Sequence, residues 1–168
     1  MSDYLTKFST VNTFVFDVDG VLATGDLLVM NNGDLLRFMS SKDGYALKVL
    51  AESDKYNVAV ITGGKSDGVV TRLKRLGIEH VYGSIENKME KFKEYVQENN
   101  INSEHTLYMG DDIPDYEIMK SVGVPVCPKN ACKEIKDLSI YVSHINGGEG
   151  CARDVIEQIM KCQGNWAV

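Results

Sequence analysis

Short, β-branched apolar runs alternate with helix-spaced apolar patterns along most of this chain. The run Val11–Phe16 ends at Asp17-Val18-Asp19-Gly20 and reads as a strand that runs out into a glycine turn. Leu27–Met30 and Leu35–Phe38 flank Asn31-Asn32-Gly33, and Asn-Gly between two apolar segments predicts a β-hairpin. Asp43-Gly44 opens a helical stretch with Ala46, Leu47, Val49 and Leu50 on one side. Val58–Thr62 is continuously apolar rather than alternating, as a parallel strand covered on both faces requires. Ser66 and Asp67 are placed to cap a helix whose apolar positions are Val69, Val70, Leu73 and Leu76, and Gly77 stops it.

The remaining pattern predicts strands at Val81-Tyr82, Thr106–Met109, Val124–Val126 and Ile140–Val142. Helices are expected over 87–98, from Tyr116 to Ser121, and from Cys151 to about Lys161. Repeated strand–helix alternation implies right-handed crossovers, hence an α/β fold with a doubly wound parallel sheet and a protruding hairpin. No linker, repeat or low-complexity stretch divides the chain, so 1–168 is expected to form a single domain.

Composition narrows the function classes. The 168 residues, 43% hydrophobic and 25% charged, describe a globular chain able to bury a core. A net charge of −6 without a basic run argues against a nucleic-acid partner. The first ten residues lack the apolar core of a signal peptide, and no apolar stretch reaches membrane-spanning length, so a cytoplasmic protein is expected. Cys127, Cys132, Cys151 and Cys162 form no CxxC pair and are read as free thiols; His80, His105 and His144 stand apart and are read as ordinary surface or core residues.

The chemistry lies at the strand ends. Side chains of successive strand residues point to opposite faces, but beyond the strand end Gly20 lets the chain turn, and Asp17 and Asp19 can converge. Carboxylates at close range ionise together only when a cation offsets them. In an open α/β sheet, ligands bind beyond the carboxyl ends of the strands. There the first strand delivers Asp17 and Asp19, the second Thr62-Gly63-Gly64-Lys65, and the Thr106 strand Gly110-Asp111-Asp112-Ile113-Pro114-Asp115, with Lys88 between them near the start of its helix. Oxygen ligands suit Mg²⁺, while a hydroxyl, backbone amides and an ammonium suit a phosphoryl group.

Taken in this order, DVDG, the Thr-Gly-Gly, the lysine and GDDIPD resemble the four motifs of the haloacid dehalogenase superfamily, over nearly the whole chain. The resemblance implies a phosphatase that works through an aspartyl-phosphate. Asp17 would be the nucleophile; Asp19 would be the acid/base and lend its backbone carbonyl to the metal. Thr62 would bind phosphate, Lys88 would be the lysine of the third motif, and Asp111 the acidic metal ligand. Asp112 and Asp115 would orient water at the metal, or Lys88. The segment from Gly20 to Asn57 is too short for an inserted cap domain, so a capless enzyme is expected.

DVDGVL, the Asn-Asn-Gly hairpin, Lys42-Asp43-Gly44-Tyr45, and Gly147-Gly148-Glu149-Gly150 followed by Arg153 further resemble the tetrameric 3-deoxy-D-manno-octulosonate 8-phosphate phosphatases. This resemblance implies a sugar-acid phosphate substrate and a homotetramer centred on the hairpins, with a neighbour's glycine-rich tail helping to close the site. Substrate-contacting places would be Ser40 to Gly44 (Lys42, Asp43 and Gly44 among them), Lys48, Thr62, Gly63, Arg72 and Lys88. Lysine stands at 42 and 48, and glycine at 64, where the octulosonate enzymes usually carry arginine. Relatives acting on nine-carbon acylneuraminate-type 9-phosphates tend to carry glutamate at position 64. A nine-carbon phosphatase and a non-catalytic oligomerisation module are the two alternatives.

Overall fold

The computed structural model describes residues 3–166. After α1 (Asp3–Phe8) come β1 (Thr13–Phe16), a hairpin of β2 (Leu28–Val29) and β3 (Leu35–Leu36), and α2 (Ser41–Ala51). Then follow β4 (Asn57–Ile61), α3 (Asp67–Arg75), β5 (His80–Tyr82), α4 (Lys88–Glu98) and β6 (Thr106–Met109). The chain continues through α5 (Tyr116–Ser121), β7 (Val124–Cys127), α6 (Lys133–Leu138), β8 (Tyr141–Val142) and α7 (Cys151–Cys162). Two short 3₁₀ turns, Ser103–His105 and Ile113–Asp115, precede β6 and α5.

Six strands pair in parallel in the order β5-β4-β1-β6-β7-β8. β1 sits between β4 and β6, in register Phe14↔Val58 and Phe14↔Leu107, so the chain reverses its direction of travel across the sheet beside β1. Strand periodicity sends alternate residues into two cores. Phe14, Phe16, Val58, Val60, Leu107 and Met109 pack with α2, α3 and α7 on one face. Val15, Ala59, Ile61 and Tyr108 pack with α4, α5 and α6 on the other. The sheet is therefore doubly wound, as its continuous apolar strands predict. Between β1 and β4 the described residues form only the hairpin and α2, and no cap domain covers the strand ends.

The predicted helices and strands all form, with hairpin strands shorter than the apolar runs: each pairs over two residues, Leu28↔Leu36 and Val29↔Leu35. The pattern reading missed α1 and α6, each only six residues long. No helix among the described residues is long and apolar enough to cross a membrane, and all four cysteines are unpaired.

The glycine-rich segment ahead of α7 is folded onto its own chain. Gly148 donates its N–H to the Val21 carbonyl (2.8 Å) and Gly147 to Asn130 Oδ1 (2.9 Å), so this segment is clasped to the loop after β1 in its own chain. A Cβ on Gly147 would overlap the Gly20 carbonyl oxygen. The helix that follows buries Val155, Ile156, Ile159 and Met160 against the core. At about 1.5–3 kcal/mol for each large apolar side chain buried, removing it would dismantle the fold rather than open a site.

Candidate active site

Each strand of the sheet centre ends in a residue of the predicted constellation. Asp17 leaves β1 with its N–H still bonded to the Met109 carbonyl (3.0 Å), and its Oδ1 accepts from the Val18 N–H (2.7 Å). Thr62 follows β4, and its Oγ1 accepts from the Gly64 N–H at 3.1 Å. Gly110 and Asp111 follow β6, where the 3₁₀ turn with Pro114 brings Asp115 back beneath them. Asn87 caps α4 by accepting from the Glu90 N–H (3.1 Å), which sets Lys88 as its first residue, over the same edge.

These parts meet in a cavity of about 750 Å³ lined by Asp17, Asp19, Thr62, Lys88, Asp111 and Asp115, with Gly63, Gly64 and Asp112 at its walls. Lys88 Nζ lies 2.8 Å from both Asp17 Oδ2 and Asp115 Oδ1, and all three side chains are at least nine-tenths buried. Asp115 is fully engaged: Oδ1 also accepts from the Tyr108 hydroxyl (2.8 Å), and Oδ2 from the Asp111 N–H (3.1 Å). Of the two acidic residues whose roles the motif left open, Asp115 therefore holds Lys88, while Asp112 is exposed at the rim.

Burial sets the electrostatics. It pushes Asp17 up to about 7, with help from Asp115 and against the pull of Lys88. Asp111 is likewise pushed up to about 7, by burial first and then by Asp115 and Asp112. Burial opposes the Lys88 ammonium, but Asp17 and Asp115 outweigh it and raise its pKa. One lysine is too little positive charge for this group of carboxylates. Oxygens of Asp17, Asp111 and Asp115 lie within 4.8 Å of one another, an all-oxygen donor set that fits a hard divalent cation. Asp115 already accepts three hydrogen bonds, from Lys88, Tyr108 and the Asp111 N–H, against two for Asp17, so Asp17 and Asp111 keep more lone pairs for a cation.

Gly20 makes this geometry possible. Its φ of +83° is one that other residues rarely adopt, and a Cβ there would overlap the Asp111 carboxylate. Gly147 backs the Gly20 carbonyl from behind, so two successive glycine contacts set how closely the β1 loop approaches Asp111.

Not every expected site residue arrives. Thr62, Gly63 and Lys88 line the cavity; Lys42, Asp43, Gly44, Lys48 and Arg72 do not. Lys42 lies at a separate cavity beside α7. Asp43 is buried and accepts from the Arg153 N–H (2.8 Å), tying α2 to the start of α7. Gly44 packs against the Arg72 guanidinium, which reaches the Ser40 carbonyl at 3.5 Å, and Lys48 points outward to Glu52 (3.5 Å). Helical geometry accounts for this: the residues of α2 that face inward face α7 and α3 rather than the strand ends. Conversely, Tyr108, placed from sequence only in a strand, contributes its buried hydroxyl to Asp115, and Arg37 was missed altogether. A tyrosine inside an otherwise aliphatic buried strand was the available signal, since a buried hydroxyl needs a partner. Arg37 carried none beyond its inward alternation between exposed Leu36 and Phe38.

Residues 78–154 match the family of haloacid dehalogenase-like hydrolases. The chain is 35% identical over 160 residues to the 3-deoxy-D-manno-octulosonate 8-phosphate phosphatase of Salmonella typhi, spanning 95% of this chain and 85% of that one. It is 34% identical over 163 residues to the same enzyme of Escherichia coli K12, spanning 97% and 86%. The crystal structure of the Moraxella catarrhalis enzyme, solved with magnesium, phosphate and KDO, aligns with a TM-score of 0.92 at 30% identity, over 98% of this chain and 94% of that one.

Proposed function

Since the chain belongs to the 3-deoxy-D-manno-octulosonate 8-phosphate phosphatase family of haloacid dehalogenase-like hydrolases, we propose that it is a magnesium-dependent phosphomonoesterase releasing KDO and phosphate from that substrate. The observation that carries the reading is the buried group of Asp17, Lys88, Asp115 and Asp111, an arrangement too rich in carboxylates to stand without a cation. Asp17 and Asp111 would hold Mg²⁺ through their carboxylates and Asp19 through its backbone carbonyl; the ion would supply the positive charge that lets Asp17 and a phosphate approach each other.

The rest is done by the chain's own side chains. Lys88 holds Asp17 Oδ2 and, through Asp115 and Tyr108, is itself held in place. Thr62 Oγ1, already accepting from the Gly64 N–H, has its own hydroxyl proton free for a phosphoryl oxygen. The Asp17 carboxylate attacks phosphorus, the bond to the sugar oxygen breaks, and Asp19 gives that oxygen a proton. Water then attacks phosphorus, giving its proton to Asp19, and Asp17 is released. Asp112 at the rim, and Lys42, Asp43, Gly44, Lys48 and Arg72 away from the cavity, contact substrate in this reading only if the sugar acid or a neighbouring subunit spans that distance.

The apolar hairpin supports the larger assembly. Leu28 and Val29 are 50% and 68% exposed on a two-residue ladder that has no core of its own, and Phe38 just beyond it is 65% exposed. In this reading the chain is a single domain, 1–168, whose hairpins meet in a homotetramer. Four unpaired cysteines fit a reducing, cytoplasmic setting.

The test is a panel of phosphorylated sugar acids with Mg²⁺, ranked by kcat/KM. The eight-carbon 8-phosphate should lead. A higher value on a nine-carbon 9-phosphate would move the substrate, and no turnover of any member would remove the enzyme reading.

A further inference from the structure

Arg37 leaves the hairpin and turns inward, although Leu36 and Phe38 beside it face solvent. Its side chain is 4% exposed. Nε donates to Asp19 Oδ1 at 2.6 Å, Nη2 to Asp19 Oδ2 at 3.0 Å, and Nη1 to the Leu35 carbonyl at 3.0 Å. All three guanidinium nitrogens are therefore engaged, two of them on one carboxylate. The planar fork fits such a carboxylate and fixes its direction as a lysine does not. Lys88, the cation lining the cavity, is already shared by Asp17 and Asp115.

The space for this fork exists because residue 64 lacks a side chain. A Cβ on Gly64 would stand 2.7 Å from Arg37 Nη2 and 2.8 Å from Asp19 Oδ2, closer than real Cβ contacts allow. A side chain at 64 would therefore force the Arg37–Asp19 fork to shift. The same glycine supplies the N–H that orients Thr62 Oγ1, so the fork borders the phosphate-binding loop.

We propose that Arg37 is the positioning residue of Asp19, holding it as the acceptor that takes a proton from water when the Asp17–phosphate ester is cleaved. This rests on the phosphatase reading above and assigns Arg37 to its second half. A carboxylate offers about four lone-pair positions. The fork occupies one on each oxygen, leaving one on each for water, in a fixed direction. In the step served, the water oxygen bonds to phosphorus and the bond from phosphorus to the Asp17 oxygen breaks, its electron pair returning to the Asp17 carboxylate. The water proton passes to Asp19, which is thereby restored to the form that protonates the next sugar oxygen. Both Asp19 oxygens accept in the fork, so the fork fits the carboxylate left after Asp19 has given its proton to the sugar oxygen, and its loss falls on the hydrolysis step.

The experiment is rapid acid quench of the full chain with Mg²⁺ and labelled 3-deoxy-D-manno-octulosonate 8-phosphate, which separates formation of the phosphoenzyme from its hydrolysis. Arg37→Gln should make the phosphoenzyme accumulate, with hydrolysis slowed about tenfold more than formation. Arg37→Lys should restore little, because an ammonium cannot fork. Gly64→Ala should reproduce the accumulation. In the Arg37→Gln background it should add almost nothing, in the kinetics and in the Tm of the metal-free protein, since both changes break one contact. Equal slowing of both steps, or fully additive effects of the two substitutions, would overturn the role. If Arg37→Gln folds poorly, Gly64→Ala alone decides by the same partition. Absence of turnover and of phosphoenzyme in the unaltered protein would instead bring down the phosphatase reading, and this inference with it.

Discussion

The strand-end cavity and the hairpin are mirror-image departures from ordinary folding. At the cavity, Asp17, Lys88 and Asp115 are charged groups at least nine-tenths buried, where apolar side chains would pack more favourably. On the hairpin, Leu28, Val29 and Leu36 are 50%, 68% and 48% exposed, where charged side chains would be more soluble. Elsewhere the chain obeys the rules: two apolar cores, side-chain caps on α2, α3 and α4, and a parallel six-stranded sheet. A sequence that is locally consistent over most of its length breaks the rules where something from outside completes it. For the cavity that is a cation and a phosphate; for the hairpin, another apolar surface. Arg37 joins the two, since it directly follows β3 of the hairpin and ends on Asp19.

The contrast can be broken from either side. Asp17→Asn removes the proposed nucleophile together with one of the crowded carboxylates, so turnover should fall by about 10³-fold or more while the metal-free protein melts no lower than the unaltered one. Mg²⁺-dependent hydrolysis and a thermal scan check both halves; an active Asn variant refutes the assignment.

Lys88→Met should do the opposite to stability. It strands Asp17 and Asp115 without their shared ammonium, and breaking a buried pair this way costs about 3–5 kcal/mol. Urea unfolding without divalent ions should show that loss, and saturating Mg²⁺ should restore part of it. An unchanged midpoint would mean that the buried charges are not electrostatically strained.

Asp43 gives a sharper probe, because it is buried but far from the carboxylate cluster. Burial pushes it up to about 6 from an ordinary 3.8, even though the Arg153 N–H pulls the other way. The folded protein therefore holds this proton more tightly than the unfolded chain does. The resulting stability is fully present below about pH 4 and is lost as pH rises through 6, a swing of about 3 kcal/mol at 1.36 kcal/mol per unit. Asp43→Asn should flatten that part of the pH–stability curve; an identical slope in both proteins would contradict the burial argument.

The smallest effect on the protomer itself belongs to the hairpin. Leu28 and Leu36 face each other across the ladder, and replacing both with lysine should change protomer stability by no more than about 1 kcal/mol. Light scattering should nevertheless show the proposed tetramer falling to smaller species. A protein that is monomeric before the substitution would contradict the assembly.

Much of this was legible in the sequence. Strand ends carrying Asp17, Thr62 and Asp111 could be read because a parallel strand announces itself as a continuous apolar run, and chemistry collects where the run stops. Lys88 was readable only through its place in the motif order, since nothing local distinguishes it from a solvated lysine. What stayed hidden depends on long-range approach. Asp43 meets Arg153 across 110 residues of chain, and Arg37 meets Asp19 across 18. The packing of Gly147 against Gly20 shows in neither segment alone, so the hold of the glycine-rich stretch on its own chain could not be read from sequence. Short helices such as α6 carry too few turns for a period to stand out.

The most direct test of the central claim is a crystal structure of the protein with Mg²⁺ and beryllium trifluoride, a mimic of a phosphoryl group. It should show the mimic bonded to an Asp17 oxygen, with Lys88 still beside that side chain and Asp111 on the metal. A mimic seated on any other residue, or a metal that Asp17 and Asp111 do not ligate, would contradict the account.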